Sequence, residues 1–158
     1  MVNKSALLPS YLKPIPAADL IRLGRMYDGG YVVCKADVLR TRQLLSFGLS
    51  DDWSFEASFA EKKLSVLIEC YDHTVSENSF LKDFIKYLLN MKLEKSLAQL
   101  KAWFDYKKFF KGNKKIATHH RRKIGSAKND KDICKLIAKD NYDRNSIFLK
   151  VDIEGDEY

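Results

Sequence analysis

The residues best suited to chemistry lie in three short segments that are far apart in the sequence. The first, FGLSDD at 47–52, has one glycine and ends in two carboxylates. The second is the pair Asp72 and His73, and the third is KVDIEG at 150–155, which carries two more acids. Carboxylates repel a pyrophosphate but not a ligand that carries an amino group and a sulfonium. The acids therefore favour a cationic ligand with hydroxyl groups over a dinucleotide.

The first segment predicts a turn after a buried strand. Gly48 would let a ligand approach the backbone closely, because glycine has no side chain. A dinucleotide site would need the pattern G-x-G-x-x-G, and this segment has a single glycine. Asp51 and Asp52 follow it. The alternative is a tight turn without a ligand, in which Asp52 caps the next helix.

Asp72 follows Gly48 at close to the spacing of about 20 residues that separates a phosphate-binding turn from a ribose-binding acid. A carboxylate at the end of the second strand can accept hydrogen bonds from both ribose hydroxyls. The alternative is a solvated loop aspartate. His73, beside it, would cap or line the same loop.

Asp152 and Glu154 alternate along a predicted strand and therefore share a face. Two carboxylates close together raise the pKa of one of them, which suits proton transfer or cation binding. Lys150 lies on that face as well and could pair with Asp152. The alternative is an ion-paired strand end with no chemistry.

The elements that must position these residues alternate along the chain. An Asp-Gly-Gly turn at 28–30 predicts a pair of extended segments. Apolar and β-branched runs predict strands at 31–34, 43–48, 64–70, 115–119 and 147–153. Helical spacing predicts helices at 52–63, over 75–112 as two helices or one bent helix, and at 130–139. Thr74 and Glu77 fit a capping box.

This alternation predicts an α/β fold with a mostly parallel sheet and helices packed on it. Right-handed crossovers bring the carboxyl ends of the strands to one edge, where ligands bind. The three chemical segments all lie at such ends. We therefore expect them to meet in one cleft.

Composition restricts the class of protein. The chain has 158 residues, of which 46% are hydrophobic, enough for a single domain with a core and too many for a disordered chain. No apolar run approaches the ~20 residues of a membrane span, so a cytoplasmic protein with no membrane partner is expected. The three cysteines are far apart and form no C-x-x-C, so neither a metal site nor a disulfide framework is predicted.

The net charge of +7 is concentrated in residues 101–128, which hold ten basic residues and one acidic residue. Aromatic side chains alternate with the lysines at 103–111, as they do where bases stack and phosphates are bound. A nucleic-acid-binding module is therefore one alternative function. An amphipathic helix that buries its aromatics and solvates its lysines explains the same pattern and is favoured.

Several of these segments resemble one family. The ending FLKVDIEGDEY resembles the fourth-strand signature of the FkbM-type S-adenosylmethionine-dependent methyltransferases. The segments RLGRMYDGGYVV and LLSFGLSDDWSFE resemble the opening of a related subgroup of methyltransferase-like proteins. The resemblance covers Arg22–Val33, Gln43–Glu56, Val66–Asp72 and Ile147–Tyr158.

The resemblance implies a Rossmann-like class I methyltransferase sheet, with S-adenosyl-L-methionine as cofactor and the hydroxyl of a small molecule or sugar as methyl acceptor. It implies one domain over 1–158, with an N-terminal strap and hairpin at 1–40 and a helical insertion at 75–112. Asp152 and Glu154 would be the catalytic residues. The cofactor-binding residues would be Phe47, Gly48, Leu49, Asp51, Asp72, His73 and Asp152.

Two departures from the family pattern matter. The first strand lacks the family's acidic residue before the glycine loop, and Asp51 or Asp52 would have to replace it. The family's sheet also continues for three more strands beyond the position where this sequence ends, so a partial domain with little activity of its own is expected. A non-catalytic remnant, a homo-oligomer and edge-strand pairing remain open as alternatives.

Overall fold

The computed structural model describes residues 9, 16–112, 116–124 and 146–153. Two short strands, β1 (Leu20–Leu23) and β2 (Tyr31–Cys34), pair antiparallel around the predicted Asp-Gly-Gly turn. The remaining elements are α1 (Lys35–Arg40), β3 (Gln43–Phe47), α2 (Ser54–Lys62), β4 (Leu67–Tyr71), α3 (Glu77–Leu89), α4 (Leu93–Tyr106), a π-helical turn (Lys107–Lys111), β5 (Ala117–His120) and β6 (Ile147–Val151).

Four strands form a parallel sheet in the order β5-β4-β3-β6. All five residues of β3 are buried, as expected for a central strand covered on both faces. The prediction of an α/β fold with a parallel sheet is therefore confirmed. No helix in the described part of the chain is long and apolar enough to cross a membrane.

The main core lies between one face of the sheet and the helices. Leu44, Ile68 and Cys70 point from the strands into this layer. The aromatic rings that meet them include Phe55 and Phe59 from α2, both almost completely buried. A smaller cluster on the opposite face contains Leu45, Phe47, Tyr71, Ile124, Ile147 and Ile153.

Three aromatic residues of the basic segment belong to the core. Tyr106, Phe109 and Phe110 are buried, and Trp53 contacts the rings of Tyr106 and Phe110 edge-on. Lys107 and Lys111 instead reach Glu77 at the start of α3. Burial removes these three rings from contact with nucleic-acid bases, in agreement with the amphipathic-helix interpretation.

Several local predictions were wrong. The capping box at the start of α3 uses Ser76 and Ser79, not Thr74 and Glu77, because Asp72 takes up the hydroxyl and the N–H of Thr74. The helix α1 was not predicted, since its six residues are too few for a periodic pattern.

The strand boundaries also differ. β4 begins at Leu67 and β5 at Ala117, each later than predicted. β6 ends at Val151, so Asp152 lies just beyond the strand. The predicted helix at 130–139 falls outside the described residues.

Candidate active site

A cavity of about 480 Å³ opens at the carboxyl edge of the parallel sheet. This volume is within the range of roughly 300–1,000 Å³ that is typical of small-molecule sites. The β3–α2 loop, the β4–α3 loop and the end of β6 surround it. Six residues predicted from the sequence line it, namely Gly48, Leu49, Asp51, Asp72, His73 and Asp152.

The predicted site residue Phe47 does not line this cavity. The side chain of Phe47 is fully buried in the smaller core cluster, where it contacts the ring of Tyr71. It can therefore shape the cavity only through its backbone. Glu154 lies outside the described residues, so its predicted catalytic role remains a prediction.

Gly48 is required by the fold itself. Its φ is +79°, in the left-handed region that favours glycine. A Cβ atom at this position would overlap the backbone carbonyl oxygen of Asp152. The N–H of Asp152 donates to the carbonyl of Phe47 at 2.9 Å and holds the end of β6 against the loop. The sequence predicted that a ligand approaches the backbone at Gly48. In the structure it is the backbone of Asp152 that lies close to this glycine.

Asp72 joins the two loops that form the floor of the cavity. Its Oδ2 accepts the N–H groups of Leu49 and Ser50, both at 2.8 Å. Its Oδ1 accepts the N–H and the hydroxyl of Thr74, both at 2.6 Å. A carboxylate has about four lone-pair sites, so these donors occupy its full capacity. A ribose hydroxyl would have to replace one of them, and Thr74 Oγ1 is the donor that a side-chain rotation can release.

The same hydrogen bonds keep Asp72 charged. Partial burial alone would raise the pKa of this carboxyl group, but the hydrogen bonds from Thr74, Ser50 and Leu49 outweigh it and lower the pKa. The contribution of Asp72 to stability is therefore complete above the ordinary carboxyl pKa and is lost as the pH falls below that value.

Lys150, which lines the cavity, belongs to a buried ion pair. Lys150 Nζ, on β6, is 3.1 Å from Glu56 Oε1, on α2, and the exposed fractions of the two side chains are 7% and 0%. The hydroxyl of Ser46 on β3 donates to the same Glu56 oxygen at 2.5 Å. The suggested pairing of Lys150 with Asp152 is wrong, because Asp152 lies past the strand end and Lys150 turns toward α2.

Asp152 instead reaches the N-terminal hairpin. The hydroxyl of Tyr31 on β2 donates to Asp152 Oδ2 at 2.7 Å. Burial, together with this hydrogen bond and the nearby negative charge, raises the pKa of Tyr31 to about 12. Tyr31 therefore stays protonated as a donor at neutral pH, and Asp152 stays in place at the rim of the cavity.

The turn of this hairpin forms one wall of the cavity. Arg25 and Gly29 line the cavity from this side. Arg25 Nε lies 3.3 Å from Asp52 Oδ2, and the backbone N–H of Arg25 donates to Ser54 Oγ at 3.1 Å. The sequence predicted the turn but not that it lines the cavity. The ion pair that holds it there joins Arg25 to Asp52, which is far away in the sequence.

The lining of the cavity carries both signs of charge. Its carboxylates include those of Asp51, Asp52 and Asp152, and its cationic side chains are those of Arg25, Arg122, Lys123 and Lys150. Such a cavity suits a ligand that carries a positive and a negative group at different positions. Among the described residues, no group of three or more His, Cys, Asp or Glu side chains could hold a metal ion.

His119 on β5 contacts the backbone of Asp72 and helps to fix its loop. Its Nδ1 lies 2.6 Å from the hydroxyl of Tyr106, and its Nε2 lies 3.0 Å from the backbone carbonyl of Asp72. The carbonyl can only accept, so Nε2 carries the proton and Nδ1 accepts from the tyrosine. Burial lowers the pKa of His119 below its ordinary value.

This lowered pKa predicts a loss of stability in mild acid. The unfolded chain takes up a proton at the ordinary histidine pKa of about 6.5, before the folded chain does. The free energy of unfolding should therefore fall as the pH drops below about 6.5. Urea unfolding at pH 7.5, 6.5 and 5.5 measures this, and His119→Gln, which keeps both hydrogen bonds but cannot titrate, should show a shallower fall. Equal pH dependence in the two proteins would contradict the assignment.

The chain matches no family model, no curated protein and no solved structure. The arrangement of the cavity therefore carries the functional argument by itself.

Proposed function

We propose that the cavity at the carboxyl edge of the sheet binds S-adenosyl-L-methionine, and that the chain belongs to a class I methyltransferase acting on the hydroxyl of a small molecule or sugar. One observation carries this proposal. Three segments chosen from the sequence for cofactor binding, around Gly48, Asp72 and Asp152, line a single cavity.

The residues present fit such a cofactor. The carboxylates of Asp51 and Asp152 can attract its sulfonium and amino group, because opposite charges attract at close range. Arg122 and Lys123 can attract its carboxylate. Asp72 can accept a ribose hydroxyl when Thr74 Oγ1 releases it. The acids also explain why a dinucleotide is a poorer candidate, since its pyrophosphate would meet negative charge.

The chain's own residues would mainly position the reactants. When bound, the cofactor supplies a methyl group that is transferred to a nucleophilic oxygen. Asp72 and Gly48 hold the loops that would bind the nucleoside part. Asp152, oriented by Tyr31, can accept the proton of an acceptor hydroxyl, because a carboxylate at the rim of the cavity is reachable from the solvent side. Positioning of this kind accounts for a large part of the rate of such reactions.

The nucleic-acid alternative has less support. Its stacking residues would have to include Tyr106, Phe109 and Phe110, which are buried. The remaining exposed ring of that stretch, Phe104, lies on α4 and does not line the cavity.

Isothermal titration with S-adenosyl-L-methionine tests the proposal. The folded chain should bind it. Asp152→Asn should weaken binding by at least about tenfold, because one charge-assisted interaction is worth roughly 1.5–3 kcal/mol. Tyr31→Phe removes the hydrogen bond but keeps the carboxylate and should have a smaller effect. Asp37→Asn, a matched change on the surface of α1 and away from the cavity, should leave binding unchanged.

Two outcomes would count against this function. One is a folded chain that does not bind at millimolar ligand concentration. The other is an equal loss of binding in Asp152→Asn and Asp37→Asn, which would show that the effect is not local to the cavity.

A further inference from the structure

The hairpin formed by α3 and α4 exposes an unusual amount of apolar surface. Between residues 81 and 105 a single residue, Ser96, is buried. Its hydroxyl lies 3.3 Å from the carbonyl oxygen of Phe84, where the two helices meet. The large apolar side chains that are 45–85% exposed along the hairpin are Ile85, Leu88, Leu89, Met91, Leu93, Leu97 and Phe104.

The two most exposed of these side chains, Leu89 at 79% and Met91 at 85%, lie at the tip of the hairpin. Leu93, also at the tip, is 60% exposed. Met91 has a φ of +57°, which turns the chain sharply between the two helices. Scattered single apolar residues are ordinary on a protein surface, but a contiguous group usually marks an interaction site.

Lysines surround this apolar tip. Residues 82–101 contain five lysines and two acidic residues. Lys82, Lys86, Lys92, Lys95 and Lys101 are all exposed. Within the part of the chain that the structure describes, none of the five forms a salt bridge, whereas Lys107 and Lys111 nearby are paired with Glu77.

We propose that the tip of the α3–α4 hairpin docks on an anionic lipid surface. Apolar side chains that insert into the interface, together with lysines that face acidic headgroups, are the two features of such contacts. The exposure of the tip favours lipid over a protein helix, because a helix docks in an apolar groove and these side chains are 60–85% exposed. The absence of a spanning segment had suggested no membrane partner, but surface contact requires no such segment.

The apolar and the charged contributions can be separated by mutation. Flotation of the full chain with vesicles of phosphatidylcholine containing about one third phosphatidylserine measures binding, and pure phosphatidylcholine vesicles serve as the neutral reference. The wild-type chain should float with the acidic vesicles and much less with the neutral ones. Each lysine near an acidic surface contributes a factor of about five to binding.

Leu89→Ser/Met91→Ser should lower the partition coefficient at least tenfold, because it removes the two most exposed apolar side chains of the tip. Leu64→Ser, at a side chain that is 93% exposed on the α2–β4 turn, is the matched control and should have little effect. Lys86→Glu/Lys92→Glu should lower binding at least tenfold. Lys35→Glu/Lys62→Glu changes the net charge equally at other exposed sites and should lower it less.

The proposal is overturned if the folded wild-type chain does not bind acidic vesicles, or if the tip variants bind as well as the wild type. It is also overturned if the control variants lose as much as the tip variants, since binding would then reflect net charge alone. Binding to polyglutamate but not to vesicles, abolished by the tip variants, would show a protein-docking surface instead. None of these outcomes depends on a ligand in the cavity.

Discussion

Replacing Gly48 with alanine should destabilise the chain by about 3–5 kcal/mol, because it combines a strained backbone with an overlap in a packed region. Gly48 has a positive φ, and a Cβ atom would overlap the carbonyl of Asp152. To relieve this overlap, the end of β6 must move away from the β3–α2 loop. Both sides of the cavity would then separate.

Thermal unfolding followed by circular dichroism measures this loss, which should lower the melting temperature by about 10 °C or more. Gly112→Ala is the matched control. Gly112 has a φ of −62°, and its nearest neighbour to a Cβ atom, the carbonyl oxygen of Lys108, would be 3.0 Å away. It should cost about 1 kcal/mol or less. Similar losses in the two variants would contradict the role assigned to the Gly48–Asp152 contact.

Lys150→Met should destabilise the chain by about 3–5 kcal/mol, because it leaves the Glu56 carboxylate buried without a cation. The Glu56 side chain is fully buried, and its second oxygen has no hydrogen-bond partner in the described structure. Adding Glu56→Gln to Lys150→Met should recover at least about 2 kcal/mol, since the double variant no longer buries a lone charge.

A double-mutant cycle measured by urea unfolding checks this coupling. The expected result is a double variant that is more stable than Lys150→Met alone. Arg40→Met is the control. The ion pair between Arg40 and Asp37 is largely exposed and should contribute little to the free energy of unfolding. If the losses from Lys150→Met and Glu56→Gln simply add, the two side chains are not coupled and the account of the buried pair is wrong.

The sheet could be predicted from the sequence because its strands are continuous apolar runs. Residues 43–47 and 147–151 are such runs, and both form strands close to the predicted bounds. The change of phase within 75–112 predicted two helices or one bent helix, and the structure has two helices, α3 and α4. Periodicity is a local property, so a single sequence is sufficient to reveal it.

The partners of the polar residues could not be predicted in the same way. Alternation placed Lys150 on a face of β6, but nothing in the pattern indicates that Glu56 of α2 lies above that face. The donors to Asp72 are mostly backbone N–H groups, which every residue except proline has and which therefore leave no mark in the sequence. The Tyr31–Asp152 contact joins the two ends of the described chain.

The candidate site could be predicted in part: its location followed from the sequence, but the role of each side chain did not. The rule that parallel strands present their carboxyl ends at one edge predicted that the segments around Gly48, Asp72 and Asp152 would meet, and the structure brings them to one cavity. The same rule does not say whether each side chain faces the ligand or supports a loop. The sequence predicted that Gly48 and Asp72 contact a ligand. In the structure both residues also make close contacts within the protein.

Hydrogen–deuterium exchange with and without saturating S-adenosyl-L-methionine tests the central claim most directly, because it reports where a ligand acts. The account predicts slower exchange in peptides covering 48–52, 71–74 and 150–153, and no change in the exposed α3–α4 hairpin. Unchanged exchange throughout the folded chain, or protection confined to 101–124, would contradict the claim that a sulfonium nucleoside binds at the carboxyl edge of the sheet.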